Sequence, residues 1–226
     1  MPVLLLVRHG RTTANAAATL AGRSPGVLLD DTGQEQVAAL AERARDLRPS
    51  LLVSSPLERC RQTAKAFGAD PLVDHRLQEC DYGDWTGRPL AELRRLKLWA
   101  VVQEHPSAAT FPGGESLRAM QARAVEAVRD HDAQVAREHG PNAVWVALSH
   151  GDVIKSVIAD ALGMHLDLFQ RLVVDPGSVT AISYTERRPF LLRLNDTSAE
   201  LRSFNRSRRG RRGQPRSDAT VGGGAG

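Results

Sequence analysis

The chain of 226 residues contains only two cysteines, Cys60 and Cys80. Their spacing fits neither a metal-ligand pair nor a disulfide framework, so two free thiols in a reducing compartment are expected. No apolar run reaches the roughly 18 residues that a membrane helix needs. The sequence enters "PVLLLV" without a basic leader or a small-residue cleavage site, so no secretory signal is expected and the cytoplasm is the anticipated location. There is no Gly-x-x-x-x-Gly-Lys phosphate loop. In "ALSHG" Ala147 stands where a Gly-x-Ser-x-Gly nucleophile elbow needs its first glycine. The histidines lack a carboxylate-rich neighbourhood and have arginines beside them, which disfavours a zinc site. Neither a metal nor a cofactor is expected.

What is present is a globular composition, 42% hydrophobic and 25% charged. The net charge of +4 is unevenly placed: residues 202–226 carry seven arginines against one aspartate, which leaves the preceding 201 residues at −2. That Arg/Gly-rich end has no periodicity, little apolar content and no interleaved aromatics. It reads as a disordered extension, with nucleic-acid contact as the minor alternative. The division expected is one domain over 1–197 and a tail over 198–226. A chain ending at Leu201 is expected to keep its stability.

Alternating elements fill the domain. "TGQEQVAALAERARDL" begins with a capping-box spacing, Thr32 to Glu35, and continues with Val37, Leu40, Ala41, Ala44 and Leu47 at helical intervals. "LLVSS" is a short buried strand; Ser55, Pro56 and Glu58 then read as N-cap, first-turn proline and capping acid, with Arg59 in the first turn. "PLVDHRL" offers a short strand and residues 90–104 a helix. "FPGGES" reads as a loop, and Ser116 caps a long helix to about His139. "NAVWVALS" is a buried strand ending at His150-Gly151, followed by a helix over about 152–163 and by the strands "SVTAISY" and "FLLRLN". Strands alternating with helices predict an α/β domain with a mainly parallel sheet.

Within that frame "LLLVRHGRTTAN" runs from a buried strand straight into Arg8 and His9. His150 holds the corresponding place after "AVWVALS", 141 residues later, and Arg59 lies just beyond a third strand. Parallel strands in one sheet bring such residues to the same edge, where open α/β sheets bind ligands. Two arginines, close-approach glycines and helix N-termini suit an anion, with Thr12 and Asn15 as neutral hydrogen-bonding neighbours. The other histidines, His75, His105, His131, His139 and His165, read as structural. Glu79 alone would be an ordinary loop acid; the constellation promotes it.

These segments resemble the histidine phosphatase superfamily. "LLLVRHGRTTAN" is similar to its Arg-His-Gly signature, "SSPLERCRQTA" to the segment with the second arginine, and "LQECDYGDWTG" to the segment with the acid. "FPGGES" resembles a loop of the phosphatase members, and "SHGDVI" the second-histidine segment. The resemblance implies the phosphoglycerate-mutase-like fold, a three-layer α/β/α arrangement, and a phosphomonoesterase acting on a small phosphorylated metabolite. It implies catalytic roles for Arg8, His9, Arg59, Glu79 and His150, and substrate contacts from Arg8, Asn15, Gly22, Arg59, His150 and Gly151. His9 would form a phosphohistidine and so must be neutral, with its other nitrogen holding a proton on a backbone acceptor. His150 would be protonated. Glu79 would serve as acid and then base, which calls for a raised pKa.

Two alternatives stand beside this one. A phosphoglycerate mutase would need extra cations, but the mutase lysine eleven residues after the acid is Leu90 here. Arg94-Arg95 falls too early for the mutase arginine pair, although Tyr82 matches and Arg88 could partly substitute. An inactive binding module is disfavoured by the presence of all five catalytic types. Cys60 beside Arg59 and Cys80 beside Glu79 raise a further idea, a thiol pair at the pocket, against which stands the tendency of such neighbours to point into packing.

Overall fold

Val3–Arg8 (VLLLVR) is apolar for five consecutive residues, as befits a strand covered on both faces. In the computed structural model, which describes residues 2–205, this segment is β1. It joins β2 (Leu51–Ser54), β3 (Leu72–Val73), β4 (Val144–Ser149), β5 (Val179–Tyr184) and β6 (Pro189–Asp196) in a sheet of order β3-β2-β4-β1-β5-β6. The pairs β1/β4, β4/β2 and β2/β3 are parallel, whereas β5 and β6 add an antiparallel edge.

Because strand side chains alternate between faces, the two central strands feed two separate cores. Leu4, Leu6, Trp145 and Ala147 pack on one face; Val3, Leu5, Val7, Val144, Val146 and Leu148 pack on the other. The first face is covered by α6 (Leu117–His139) and α7 (Gly151–Ala161), through Met120, Ala124, Val153 and Val157. The second is covered by α2 (Asp31–Ala44) and α3 (Glu58–Ala64), through Leu40, Ala44, Cys60 and Ala64. The three-layer α/β/α arrangement is present. Short helices complete it: α1 (Thr13–Ala16), α4 (Leu90–Leu93) and α5 (Lys97–Glu104).

Several boundaries depart from the sequence reading. Asp30, not Thr32, caps α2, its carboxylate accepting from Gly33 N at 2.8 Å. Asp caps better than Thr, so the helix starts earlier and Thr32 Oγ1 is left to receive Arg11. α3 begins at Glu58 after Leu57, with no side-chain cap. Of the backbone donors, the expected cap, Ser55, reaches only Leu57 N, at 3.4 Å, ahead of the helix. The single helix expected over 90–104 is two, broken at Arg94–Leu96. Ser116 does cap α6, accepting from Ala119 N at 3.1 Å.

The segment after β6 also differs from a solvated tail as far as it is described. Leu201 is fully buried in the second core with Phe204 packed beside it, and the Arg193 guanidinium lies 4.8 Å from the Phe204 ring. Arg43, itself buried, donates to Ala199 O and Asp196 O. Asn205 accepts from Arg48 N. The chain thus docks through Asn205; residues 206–226, with the disorder and nucleic-acid contact considered for them, lie outside the described residues. Leu201→Ala is expected to lower unfolding free energy by about 2–5 kcal/mol, the range for a buried leucine truncation. A urea midpoint equal to that of the parent protein would show that the segment contributes nothing.

Candidate active site

β1 and β4 are in register with Arg8 opposite Ser149, so His9 and His150 leave the sheet side by side. His9 N donates to Ser149 O at 3.1 Å, and the ring centroids are 5.2 Å apart at a tilt of 59°. His9 Nδ1 lies 2.7 Å from Gly10 O. A carbonyl only accepts, so Nδ1 carries the proton and Nε2 keeps its lone pair. Burial, then Arg59 and Arg8, push the His9 pKa down to about 3, which leaves the ring neutral. Gly10 N donates to Thr63 Oγ1 at 3.1 Å, and Thr63 Oγ1 donates to Arg59 O at 2.7 Å, fastening the turn to α3.

Arg59 emerges from the first turn of α3 and is 1% exposed. Its Nη2 donates to Gly22 O at 2.8 Å, while Nη1 is buried without a partner. Arg8 Nη1 donates to Val174 O at 2.5 Å, and its Nε is likewise buried and unpartnered. Buried polar groups are nearly always hydrogen-bonded; two orphaned guanidinium donors call for an anion. Gly151 opens α7 beside them, and a Cβ there would stand in van der Waals contact with Arg8 Cζ at 3.4 Å, which places the guanidinium against the helix N-terminus.

His150 is fully buried, its Nε2 2.8 Å from Ser55 Oγ and 3.5 Å from Cys60 Sγ. Burial, followed by Arg59, His9 and Arg8, drives its pKa well below the ordinary value. The expectation of a protonated His150 is therefore not met by the protein alone, since burial first, and then the neighbouring basic groups, oppose a positive charge there. Ser55 was legible only as a helix cap; its hydroxyl instead meets His150 Nε2, with a longer contact of 3.4 Å from Leu57 N just ahead of α3.

The acid arrives from the loop before the short turn Gly83–Trp85. Glu79 Oε1 accepts from Cys80 N at 2.9 Å, and Glu79 O accepts from Arg23 Nε at 2.9 Å and Arg123 Nη2 at 3.1 Å. Burial raises the Glu79 pKa to about 7, with the nearby Asp152 adding to the rise and Arg59 opposing it. The "FPGGES" loop supports this segment: Glu115 Oε1 accepts from Asp81 N at 2.9 Å, Arg23 Nη2 at 2.8 Å and Arg123 Nη2 at 2.5 Å. Gly83 has φ of 49°, and a Cβ there would stand 2.1 Å from Pro112 O, so the two loops meet backbone to backbone. Asn15 is exposed, its Oδ1 taken by Thr12 N and Thr12 Oγ1 in the α1 capping box, which leaves its amide nitrogen as the group it can offer.

Cys60 and Cys80 do not form a pair. They are free, buried, and belong to the cores on opposite faces of the sheet. Burial pushes the Cys60 thiol up to about 12 and the Cys80 thiol higher still. Among the other histidines, His131 Nε2 meets Asp74 Oδ2 at 2.9 Å and its ring packs near Trp145, a structural role. Sequence reasoning missed Ser55, Thr63, Arg23, Glu115, Arg123 and Asp152 as parts of the site. Only Asp152 carried a local signal, its place directly after His150-Gly151.

Unpartnered guanidinium donors ask for an anion, and a neutral imidazole nitrogen between them suits an electrophile carried by that anion. A phosphoryl group is both, and the protein is of the phosphoryl-handling α/β class. The chain belongs to the histidine phosphatase superfamily (branch 1), whose family model matches residues 4–197. It is 30% identical over 209 residues to phosphoserine phosphatase 1 of Hydrogenobacter thermophilus, covering 87% of this chain and 93% of that one. It is also 30% identical over 187 residues to a probable phosphoglycerate mutase, GpmB, of Enterobacter sp., covering 80% and 84%. The solved mycobacterial glucosyl-3-phosphoglycerate phosphatase in complex with VO3 superposes with a TM-score of 0.77 at 29% identity, over 85% of this chain and 98% of that one.

Proposed function

We propose that the protein is a phosphomonoesterase that hydrolyses a small phosphorylated metabolite through a phosphohistidine on His9. The observation that carries this reading is the pinning of His9 Nδ1 on Gly10 O beside the orphaned donors Arg8 Nε and Arg59 Nη1. His9 Nε2 attacks phosphorus as the bond to the leaving alcohol breaks, and Glu79 gives its proton to the departing oxygen. A water then loses a proton to Glu79 and attacks the phosphohistidine, breaking the N–P bond and releasing phosphate. Arg8, Arg59, the Asn15 amide and the α7 N-terminus at Gly151 hold the oxygens. A dianion between the rings favours the imidazolium at His150, which joins them. Gly22, expected to touch substrate, acts in this reading through its carbonyl on Arg59. Positioned positive charge of this kind is the main contributor to phosphoryl transfer, and no step is routed through a metal or cofactor.

Hydrolysis is favoured over mutase chemistry by where the candidate cations lie. Leu90 packs against the larger core, Arg94 lies 6.0 Å from the Trp99 ring, and Arg88 pairs with Glu92 at 3.5 Å. Arg95 is exposed on the same segment. A doubly charged intermediate would find few partners while it reorients. Incubation with 3-phosphoglycerate and a 2,3-bisphosphoglycerate primer should yield free phosphate faster than 2-phosphoglycerate; the opposite order would assign the mutase reaction. An inactive binding module would give neither product. No helix among the described residues is long and apolar enough to cross a membrane, and the two free thiols support a place in the cytoplasm.

A further inference from the structure

Two residues beyond His150, Asp152 stands in the first turn of α7, partly exposed. Its Oδ2 accepts from Tyr82 OH at 2.8 Å. That bond commits the phenol proton, and burial keeps Tyr82 protonated. Asp152 is close enough to Glu79 for its charge to be felt there. If Glu79 protonates the leaving oxygen, the leaving group itself must lie against this acidic pair.

Among the described residues, the cations near Glu79 other than the phosphate-end Arg8 and Arg59 are already committed. Arg23 is used on all three of its nitrogens, Nε on Glu79 O, Nη2 on Glu115 and Nη1 against Asp81 at 3.5 Å. Arg123 is used likewise, on Glu115, Arg76 O, Gln78 O and Glu79 O. Positive charge is thus concentrated at the phosphate end, in Arg8 and Arg59, whereas the leaving-group end offers carboxylate oxygens.

Resting on the phosphatase reading, we infer that Asp152, oriented by Tyr82, is a specificity-determining residue that selects leaving groups presenting a hydroxyl donor to it and rejects those presenting a carboxylate at the same position. A hydroxyl can donate to the Asp152 oxygen that Tyr82 leaves free, whereas a second carboxylate there meets like charge in a partly desolvated cleft.

The test uses two substrates of nearly equal size, sn-glycerol 3-phosphate and 3-phosphoglycerate, which differ in a hydroxymethyl against a carboxylate. The wild-type protein should show kcat/KM higher for glycerol 3-phosphate by about tenfold or more, a difference of about 1.4 kcal/mol. Asp152→Asn should bring that ratio close to one. Any change the substitution makes in Glu79 affects both substrates and cancels. Tyr82→Phe, which leaves the carboxylate's charge in place but removes the donor that orients it, should keep the direction of the preference while reducing its size. Equal or better cleavage of 3-phosphoglycerate by the wild type overturns the inference without any variant, as does an unchanged ratio in Asp152→Asn. Hydrolysis of p-nitrophenyl phosphate, abolished in His9→Ala, checks the phosphatase reading separately. If that activity is present while the ratio fails, only the inference falls; if it is absent, both fall.

Discussion

Glu79→Gln is expected to slow hydrolysis of alkyl phosphates by about 10²–10⁴, the usual contribution of a positioned acid or base, while sparing first-step cleavage of p-nitrophenyl phosphate. The amide keeps the shape but can neither give a proton to a poor leaving group nor take one from water. With the nitrophenolate, which needs no proton to depart, the variant should burst and then stall on its phosphohistidine. The pH dependence follows from the two shifted groups. His9 is neutral above about 3, and Glu79 is protonated below about 7. The first step with an alkyl phosphate should therefore run best between these values and decline as pH rises through the upper one. In Glu79→Gln the decline should vanish along with most of the rate. The same shift opposes folding: a carboxyl raised from 4.5 to about 7 loses stability as pH rises through that window, because the unfolded chain releases the proton first. Glu79→Gln should thus melt at a higher temperature above neutral pH while being nearly inactive, an outcome that a scaffold role for Glu79 would not give.

The second large effect is expected at Arg59. Arg59→Ala removes the buried Nη1 donor and one of the two guanidiniums beside His9, and loss of one preorganised donor usually costs about 2.7–4 kcal/mol of transition-state stabilisation. A fall in kcat/KM of roughly 10²–10³ is expected. The His9 pKa should rise in the same variant, since Arg59 holds it down second only to burial. Titration of the His9 ring by NMR in parent and variant reads this directly. Unchanged titration with full activity would remove Arg59 from the site. Arg59→Lys should recover little, because a single ammonium cannot both reach Gly22 O and offer a second fixed donor.

The sheet and the two histidines were legible because their signals are local. Five apolar residues ending in Arg-His-Gly, and "AVWVALS" ending in His-Gly, announce buried strands that stop at a polar edge, and the register of Arg8 with Ser149 then sets the rings side by side. Arg59 was legible for the same reason, as the first turn after a third such strand. What escaped were contacts between positions far apart in the chain. Ser55 looks like a helix cap from its neighbours, and only the fold shows its hydroxyl turned to His150 across 95 positions. Arg23 and Glu115, joined across 92 positions, carry nothing in their own segments to mark them as supports for Glu79. The neutral state of His150 in the protein alone was not legible because it depends on burial and on how many basic groups share it, which composition does not convey. The docking of residues 198–205 was not legible because two large apolar residues, Leu201 and Phe204, scattered among polar ones give no periodic signal, and only the fold shows the second core that receives them.

The most direct test of the account is the phosphoryl bond to His9. The protein is mixed with ³²P-labelled p-nitrophenyl phosphate, quenched within milliseconds and digested, and the labelled peptide is sequenced by mass spectrometry. The account predicts acid-labile, base-stable phosphate on His9, more of it in Glu79→Gln than in the parent, and none in His9→Ala, which should also lack turnover. Turnover by His9→Ala at the parental rate, or label carried by His150 in place of His9, would contradict it.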